Sequence, residues 1–262
     1  MFSNTTTPSE IRASIREEKW KSLTSGLAPR YTQANLVILP KEQAFDFLRF
    51  CLANPKPCPL IEVTDPGSPE PIQTARGADL RVDVPRYRVY RAGNLVAEPF
   101  NILPYWQEDL VSFLLGCSFT FEQALLEAGL PVRGLEENGK FSAYITNIAC
   151  TPIGIFRGPL VVTMRPMTPA QAIKAVQITS RFSWSHGAPI HIGDPKGIGI
   201  STLNKPDYGQ PVEILPGETP VFWACGITPQ AVALESAVEL MITHSPGHMF
   251  ITDVTNDELL LG

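Results

Sequence analysis

Residues 181–195, RFSWSHGAPIHIGDP, carry the side chains best suited to chemistry. They include two of the four histidines of the chain, His186 and His191, together with Asp194. An imidazole titrates near neutral pH, and a carboxylate beside it can fix the tautomer of a catalytic base. The glycines and prolines of the segment predict a loop with one short extended piece. We therefore expect acid–base chemistry here, with a purely structural loop as the alternative.

A cysteine occupies a second promising position, at a predicted helix start. Cys117 follows Gly116, and the residues after it open a helix. The positive end of a helix dipole favours a thiolate, and Ser118 or Thr120 is expected to cap the free amides. The alternative for Cys117 is a buried thiol that only fills space.

Three further positions could hold an anion. Arg157, in a tight loop, and Arg165, at the end of a predicted strand, could each grip a carboxylate through two hydrogen bonds. Either could instead form an ordinary surface ion pair. Gly226 leads from a strand into a helix predicted to start at Thr228, which would leave free N–H groups for an anion. The chain lacks GxGxxG and a P-loop lysine, so we expect no nucleotide cofactor.

A metal site is not expected. The two histidines and the aspartate of residues 181–195 have no cysteine or glutamate at a fixed spacing to complete a ligand set. His244 and His248 are four residues apart, but Pro246 and Gly247 break any helix between them. The absence of GxSxG and HExxH also argues against α/β-hydrolases and zincin proteases.

The composition is that of a globular protein. The chain has 262 residues, of which 44% are hydrophobic and 18% charged. Its net charge of -5 and its dispersed lysines and arginines argue against nucleic acid as a partner. The N-terminus lacks a signal pattern and no apolar stretch reaches membrane-helix length, so we expect no membrane partner and a cytoplasmic location. The five cysteines lack a close-pair pattern, which is typical of reduced thiols.

The starts of three predicted helices share one pattern. The motifs TPSE (residues 7–10) and TPAQ (residues 168–171) predict capping boxes with proline in the first turn, and Thr228-Pro229 predicts a similar start. A further helix is predicted over residues 105–115. Residues 80–84 and 86–90 alternate in polarity and predict two half-buried strands.

Buried strands and helices alternate at both ends of the chain. This pattern predicts two β-α-β units whose neighbouring strands are parallel. Their segments are residues 34–39, 41–53 and 60–64 near the start, and residues 220–225, 229–242 and 248–252 near the end. We therefore predict an α/β (α+β) protein with two lobes. Residues 1–125 and 211–262 would form a mixed, mostly parallel α-β-α sandwich, and residues 126–210 an inserted, smaller α+β lobe.

Five long motifs resemble the D-glutamate cyclase family, whose bacterial members are described as hydro-lyases. The similarity spans essentially the whole chain, and it implies a two-lobed α/β protein that closes D-glutamate to 5-oxo-D-proline with loss of water. The motifs, in chain order, are GCSFTFE (116–122), NIACTPIGIFRGPLVVTMRPM (147–167), SRFSWSHGAPIHIGDP (180–195), VFWACGITPQ (221–230) and SPGHMFITD (245–253).

If the resemblance holds, the candidate groups divide into two roles. Arg157 or Arg165 would bind the α-carboxylate, helped by Ser118, Thr228 and the amides after Gly226. The partner would be a small carboxylate or amino acid. Dehydration of another small hydroxy or amino acid and non-catalytic carboxylate binding are the rival functions. A homo-oligomer interface formed by the motif loops, with tryptophan anchors, is a further alternative.

The chemical step needs an amine without its proton and an activated carboxyl group. His186 or His191, steered by Asp194, would act as base toward the amine. Cys117 would protonate the departing oxygen or form a transient thioester, with Glu122 as a reserve acid.

Overall fold

A computed structural model of the chain describes residues 6–136 and 141–261. The helices in these residues are α1 (Pro8–Arg16), α2 (Lys41–Ala53), α3 (Phe119–Glu127), α4 (Arg133–Glu136), α5 (Pro169–Thr179) and α6 (Thr228–Glu235). The strands are β1 (Tyr31–Pro40), β2 (Leu60–Val63), β3 (Tyr87–Arg91), β4 (Asn94–Ala97), β5 (Leu110–Gly116), β6 (Ser142–Ala149), β7 (Pro159–Met167), β8 (His191–Ile192), β9 (Tyr208–Gly209), β10 (Thr219–Ala224), β11 (Leu240–His244) and β12 (Phe250–Thr255).

The strands form two sheets. One has the order β2-β5-β1-β11-β3-β4, with β12 also paired to β1, and the other has the order β8-β10-β7-β6-β9. Every pairing among the described strands is antiparallel. The α+β class is confirmed, whereas the expected mostly parallel sandwich is wrong. Strands β1 and β2 do run in the same direction, but β5 lies between them and is antiparallel to both.

Two predicted helices contain strands instead. The helix expected over residues 105–115 is replaced by β5, all of whose residues are buried. Its short apolar run, interrupted by Ser112, is compatible with a helix or with a strand buried on both faces. The helix expected over residues 229–242 ends at Glu235, and β11 takes its last residues. Residues 80–84 form turns, and the strand expected at 86–90 is β3.

The C-terminal β-α-β unit is divided between the two sheets. Strand β10 pairs with β7 in the five-stranded sheet, while β11 and β12 pair with β1 in the seven-stranded sheet. Helix α6 connects the two sheets. The predicted lobe boundaries near residues 125 and 211 stay a prediction.

The two predicted capping boxes are confirmed. The Thr7 hydroxyl accepts from the Glu10 N–H at 3.3 Å, and the Glu10 carboxylate accepts from the Thr7 N–H at 2.8 Å. Thr168 and Gln171 make the same reciprocal pair at the start of α5. Helix α6 instead starts at Thr228 after Ile227, without a side-chain cap.

The largest core lies between the two sheets. Val37 and Phe113 of the seven-stranded sheet share it with Val162 and Phe222 of the five-stranded sheet, and Phe47 of α2 closes it. Burial of these apolar side chains is the main force that holds the sheets together. The site described below lies where strands of both sheets end. None of the helices in the described residues is long and apolar enough to cross a membrane.

Candidate active site

One strand of each sheet ends in a turn that carries a cysteine and leads into a helix. Strand β5 enters the Cys117 turn (residues 116–118) before α3, and β10 enters the Cys225 turn (residues 225–227) before α6. Each turn contains a glycine with no room for a side chain. A Cβ on Gly116 would overlap the carbonyl oxygen of Trp184, and one on Gly226 would overlap the side chain of Asn35.

A buried ion pair lies against the Cys117 turn. Arg165 of β7 donates through Nη2 to a carboxylate oxygen of Glu122 and, at 3.1 Å, to the hydroxyl oxygen of Ser118. The guanidinium carbon lies 5.4 Å from the ring centre of Phe121 and 5.3 Å from that of Trp223. The two aromatic rings keep water away from the guanidinium and fix its plane by cation–π contact.

The ion pair leaves one guanidinium nitrogen free. Arg165 Nη1 is buried and has no hydrogen-bond partner among the described residues. Burial raises the pKa of Glu122, and the charge of Arg165 opposes that rise. Because an unpaired buried N–H is unfavourable, a ligand carboxylate at Nη1 would gain a charge-assisted hydrogen bond.

The two thiols are neutral neighbours of this pair. Burial raises the pKa of Cys117 far above that of a free thiol, although its sulfur accepts from the Phe119 N–H. Burial also raises the pKa of Cys225 to about 11. The expected thiolate at Cys117 is therefore wrong, because desolvation exceeds the effect of the helix terminus. Ser118, in the N-cap position of α3, makes no side-chain cap, and its hydroxyl faces Arg165.

His186 approaches the site from the loop after α5. Its backbone is left-handed with φ 78°, which is uncommon for a residue other than glycine and often marks a functional position. Its Nδ1 lies 2.6 Å from the Lys56 carbonyl oxygen and so carries the proton. The lone pair of Nε2 is then free, and Nε2 is buried without a partner among the described residues. Burial, together with the nearby charge of Arg165, lowers the pKa of His186 to about 4.

His191 and Asp194 do not join this cluster. His191 pairs with Phe222, whereas Arg165 pairs with Val221, so the two side chains lie on opposite faces of the sheet. The ring Nε2 of His191 bonds the backbone carbonyl of Asp194 at 2.8 Å, not its carboxylate. The carboxylate instead accepts from the Lys196 N–H at 3.0 Å. Asp194 therefore caps a 3-10 turn and steers neither histidine through its carboxylate.

Arg157 and Thr228 are also held elsewhere. Arg157 is exposed, and its backbone exchanges hydrogen bonds with the Ser236 hydroxyl at the far end of α6. That end is roughly 12 Å from the Cys225 turn, given 1.5 Å per helical residue.

The Thr228 hydroxyl donates to the Cys225 carbonyl at 2.7 Å and accepts from the Val161 N–H at 3.1 Å. Thr228 thus ties α6 to β7.

A small pocket that opens to solvent adjoins the ion pair. Arg165 and Glu122 line it, which makes it the natural approach for a small carboxylate. Its other lining residues are Ser25, Phe119, Val132, Arg133, Gly134, Phe141, Thr163, Met164, Pro166 and Val212. Within residues 6–136 and 141–261, no group of three or more His, Cys, Asp or Glu side chains is arranged to hold a metal ion.

Three residues of this site are not predicted as site residues from the sequence. Phe121 and Trp223 cover the guanidinium, and Asn35 lies between the two cysteine turns. Phe121 and Trp223 lie inside motifs but look like ordinary core residues. Asn35 has a detectable signal, because it is the one amide in the buried run ANLVIL.

The buried histidines should make the protein less stable in mild acid. Burial lowers the pKa of both His186 and His244 from 6.5 to about 4. Between these pH values the unfolded chain binds protons that the folded chain does not, so the free energy of unfolding falls as pH falls. At about 1.4 kcal/mol per pKa unit, each histidine contributes roughly 3 kcal/mol over this range.

Urea unfolding from pH 7.5 to 4.5 would test this expectation. The variant His244→Asn keeps an acceptor for the Leu36 N–H, which now donates to His244 Nδ1 at 3.1 Å, but it does not titrate. Its stability should therefore depend less steeply on pH. An unchanged slope would contradict the assignment. The raised pKa of Glu122 acts in the opposite sense, because its contribution to stability is lost as pH rises.

The family comparison matches much of this site. A family model described as D-glutamate cyclase matches residues 111–253, which include both cysteine turns, Arg165 and His186. A nitrogen repressor-like protein from Methanococcus jannaschii is 11% identical, with a TM-score of 0.38 over 94% of this chain and 97% of that chain. A structural similarity this weak supports no conclusion about fold or function.

Bacterial relatives match nearly the full length. The chain is 62% identical over 253 residues to a protein of Thermoanaerobacter sp. (strain X514), covering 97% of this chain and 95% of that protein. It is 60% identical over 250 residues to one of Geobacillus kaustophilus, with 95% of each covered, and 54% identical over 252 residues to one of Bacillus subtilis, with 96% and 98% covered. All three bear the name "Putative hydro-lyase". The chain therefore belongs to the D-glutamate cyclase family.

Proposed function

We propose that the protein is a hydro-lyase that closes D-glutamate to 5-oxo-D-proline. In this reaction the amine nitrogen bonds to the γ-carboxyl carbon and one carboxyl oxygen leaves. The ammonium group gives up two protons, and the departing oxygen takes both to form water. The α-carboxylate is unchanged, so substrate and product each carry one net negative charge. The site must therefore bind one carboxylate, accept an amine proton and protonate an oxygen.

The free nitrogen of Arg165 is the observation that supports this proposal most directly. A buried guanidinium with one unpaired N–H, beside a pocket, is suited to the α-carboxylate of a small acid. Glu122 and the two rings hold the guanidinium before substrate arrives, so little reorganisation is needed on binding. Of the two arginines expected to bind the α-carboxylate, we propose Arg165, because Arg157 is exposed at the other end of α6.

His186 is the proposed proton acceptor. Its neutral ring presents the Nε2 lone pair toward a dry interior that also contains Arg165. The charge of Arg165 is among the causes that lower the pKa of His186. A substrate carboxylate bound to Arg165 would offset that charge and raise the pKa of His186. Substrate binding would thus make the imidazole a stronger base when it is needed.

Glu122 is the proposed proton donor to the departing oxygen. Its raised pKa favours a protonated carboxyl group once a substrate carboxylate competes for Arg165. The neutral thiols of Cys117 and Cys225 can donate hydrogen bonds nearby. Their raised pKa values disfavour a thioester, so we propose direct lactam formation. Holding the substrate curled would supply about 7 to 11 kcal/mol of proximity.

A substrate panel would test the function. The purified protein is incubated with D-glutamate, L-glutamate and several small hydroxy acids, and each mixture is analysed for a product lighter by one water. We expect 5-oxo-D-proline from D-glutamate, identified by chiral chromatography, and equal turnover in Arg157→Ala. Water loss from a hydroxy acid alone would point to the rival dehydratase. Saturable binding without turnover would point to a binding protein.

A further inference from the structure

Asn35 is a polar residue in an otherwise apolar strand. Its neighbours on the same face of β1, Val37 and Leu39, belong to the core between the sheets. Asn35 itself is only 2% exposed. An amide at such a position is unfavourable unless its hydrogen bonds are used. Its partners therefore indicate what the position is for.

The Asn35 side chain contacts both cysteine turns. Its Nδ2 donates to the Gly116 carbonyl oxygen at 2.6 Å, with a longer contact of 3.4 Å to the Leu115 carbonyl. On its other side the amide packs against Gly226 so closely that a Cβ there would overlap it. The backbone of Gly226 is not left-handed, so the lack of space alone excludes a side chain. One amide thus spans the gap between a turn of each sheet.

We propose that Asn35 is a positioning residue that fixes the spacing between the Cys117 turn and the Cys225 turn. The inference deepens the proposed function and rests on it. Ser118, which bonds Arg165, belongs to the Cys117 turn, and α3 carries Glu122 directly after it. A shift of that turn would displace the ion pair relative to the pocket. A displacement of about 1 Å can reduce turnover by roughly a hundredfold.

Asn35→Asp is the sharpest variant. It keeps the shape of the side chain but places a carboxylate oxygen where Nδ2 now donates to the Gly116 carbonyl. We expect kcat/KM to fall by roughly a hundredfold. We also expect iodoacetamide to alkylate Cys117 and Cys225 about tenfold faster, because loss of a buried hydrogen bond favours local opening. Cys150, which is buried in the loop after β6 and bonds the Gly158 carbonyl through its backbone N–H, is the internal reference.

Asn54→Asp is the matched control. Asn54 is another buried amide, and it bonds the Phe50 and Thr151 carbonyls at 2.9 Å, away from both turns. This variant should lose stability while keeping turnover and the alkylation rates of Cys117 and Cys225. If it matches Asn35→Asp in turnover and in alkylation, the effect is general destabilisation and the proposal fails. Unchanged alkylation in Asn35→Asp also overturns it.

A double-mutant cycle covers the case in which Asn35→Asp does not fold. Gly226→Ala should be strongly destabilised alone and largely rescued by Asn35→Ala, which makes room for the new methyl group. Additive effects on unfolding would overturn the proposed contact. The alkylation and stability measurements do not require a substrate. If the wild-type protein turns over nothing in the panel, the proposed function fails while the role of Asn35 is still decided.

Discussion

Replacing Arg165 with methionine should reduce kcat/KM for D-glutamate by roughly 10² to 10³, the usual effect of losing one preorganised donor in a water-excluded site. The variant removes the unpaired Nη1 that we assign to the α-carboxylate. It also leaves the Glu122 carboxyl group buried without its cation. Breaking a buried pair from one side typically lowers stability by about 3 to 5 kcal/mol. Steady-state kinetics and urea unfolding would measure the two effects separately.

A second substitution separates catalysis from folding. Glu122→Gln added to Arg165→Met removes the unpaired acid, so the free energy of unfolding should largely recover while turnover does not. Arg12→Met is the control for the loss of a buried arginine. Arg12 lies in α1, is 3% exposed, and donates through Nη1 and Nη2 to the carboxylate of Asp253. This variant should be less stable but fully active. An active double variant would remove both Arg165 and Glu122 from the mechanism.

Local sequence patterns predicted helix starts correctly. The capping boxes predicted the starts of α1 and α5, because a cap depends only on residues three apart. The motif around Cys117 contains the start of α3, Ser118 and Glu122, which the structure brings to Arg165. The helix starts could be predicted without knowledge of strand pairing, whereas the contact with Arg165 depends on the position of β7.

The predictions that were wrong depended on strand pairing and burial, which are set by the whole fold. His186 and His191 are neighbours in the sequence, but His191 enters a strand whose pairing places it on the face opposite Arg165. A shift of one residue in that pairing would have reversed the result. Strand β5 was mistaken for a helix because a short apolar run fits either structure. The thiolate expected at Cys117 failed because burial cannot be deduced from a helix start alone.

The clearest test of the proposed base is His186→Asn. Asparagine adopts the left-handed backbone more readily than most residues, and its Nδ2 can donate to the Lys56 carbonyl in place of Nδ1. The fold should therefore remain intact. The variant lacks Nε2, so kcat should fall by about 10² to 10⁴, the usual contribution of a general base. The KM should change little, because Arg165 still binds the carboxylate.

His244 provides a matched comparison, because it differs from His186 mainly in its tautomer. Both rings are buried, and burial lowers the pKa of each to about 4. However, the lone pair of His244 Nδ1 accepts from the Leu36 N–H, so its remaining nitrogen carries a proton and cannot act as a base. His244→Asn should therefore keep full turnover.

For the wild-type enzyme, the pH profile of kcat/KM should show no limb, that is, no change of slope from a titrating group, near pH 6.5. A limb there that disappears in His186→Asn would contradict the lowered pKa, and full activity of His186→Asn would transfer the base role to another group.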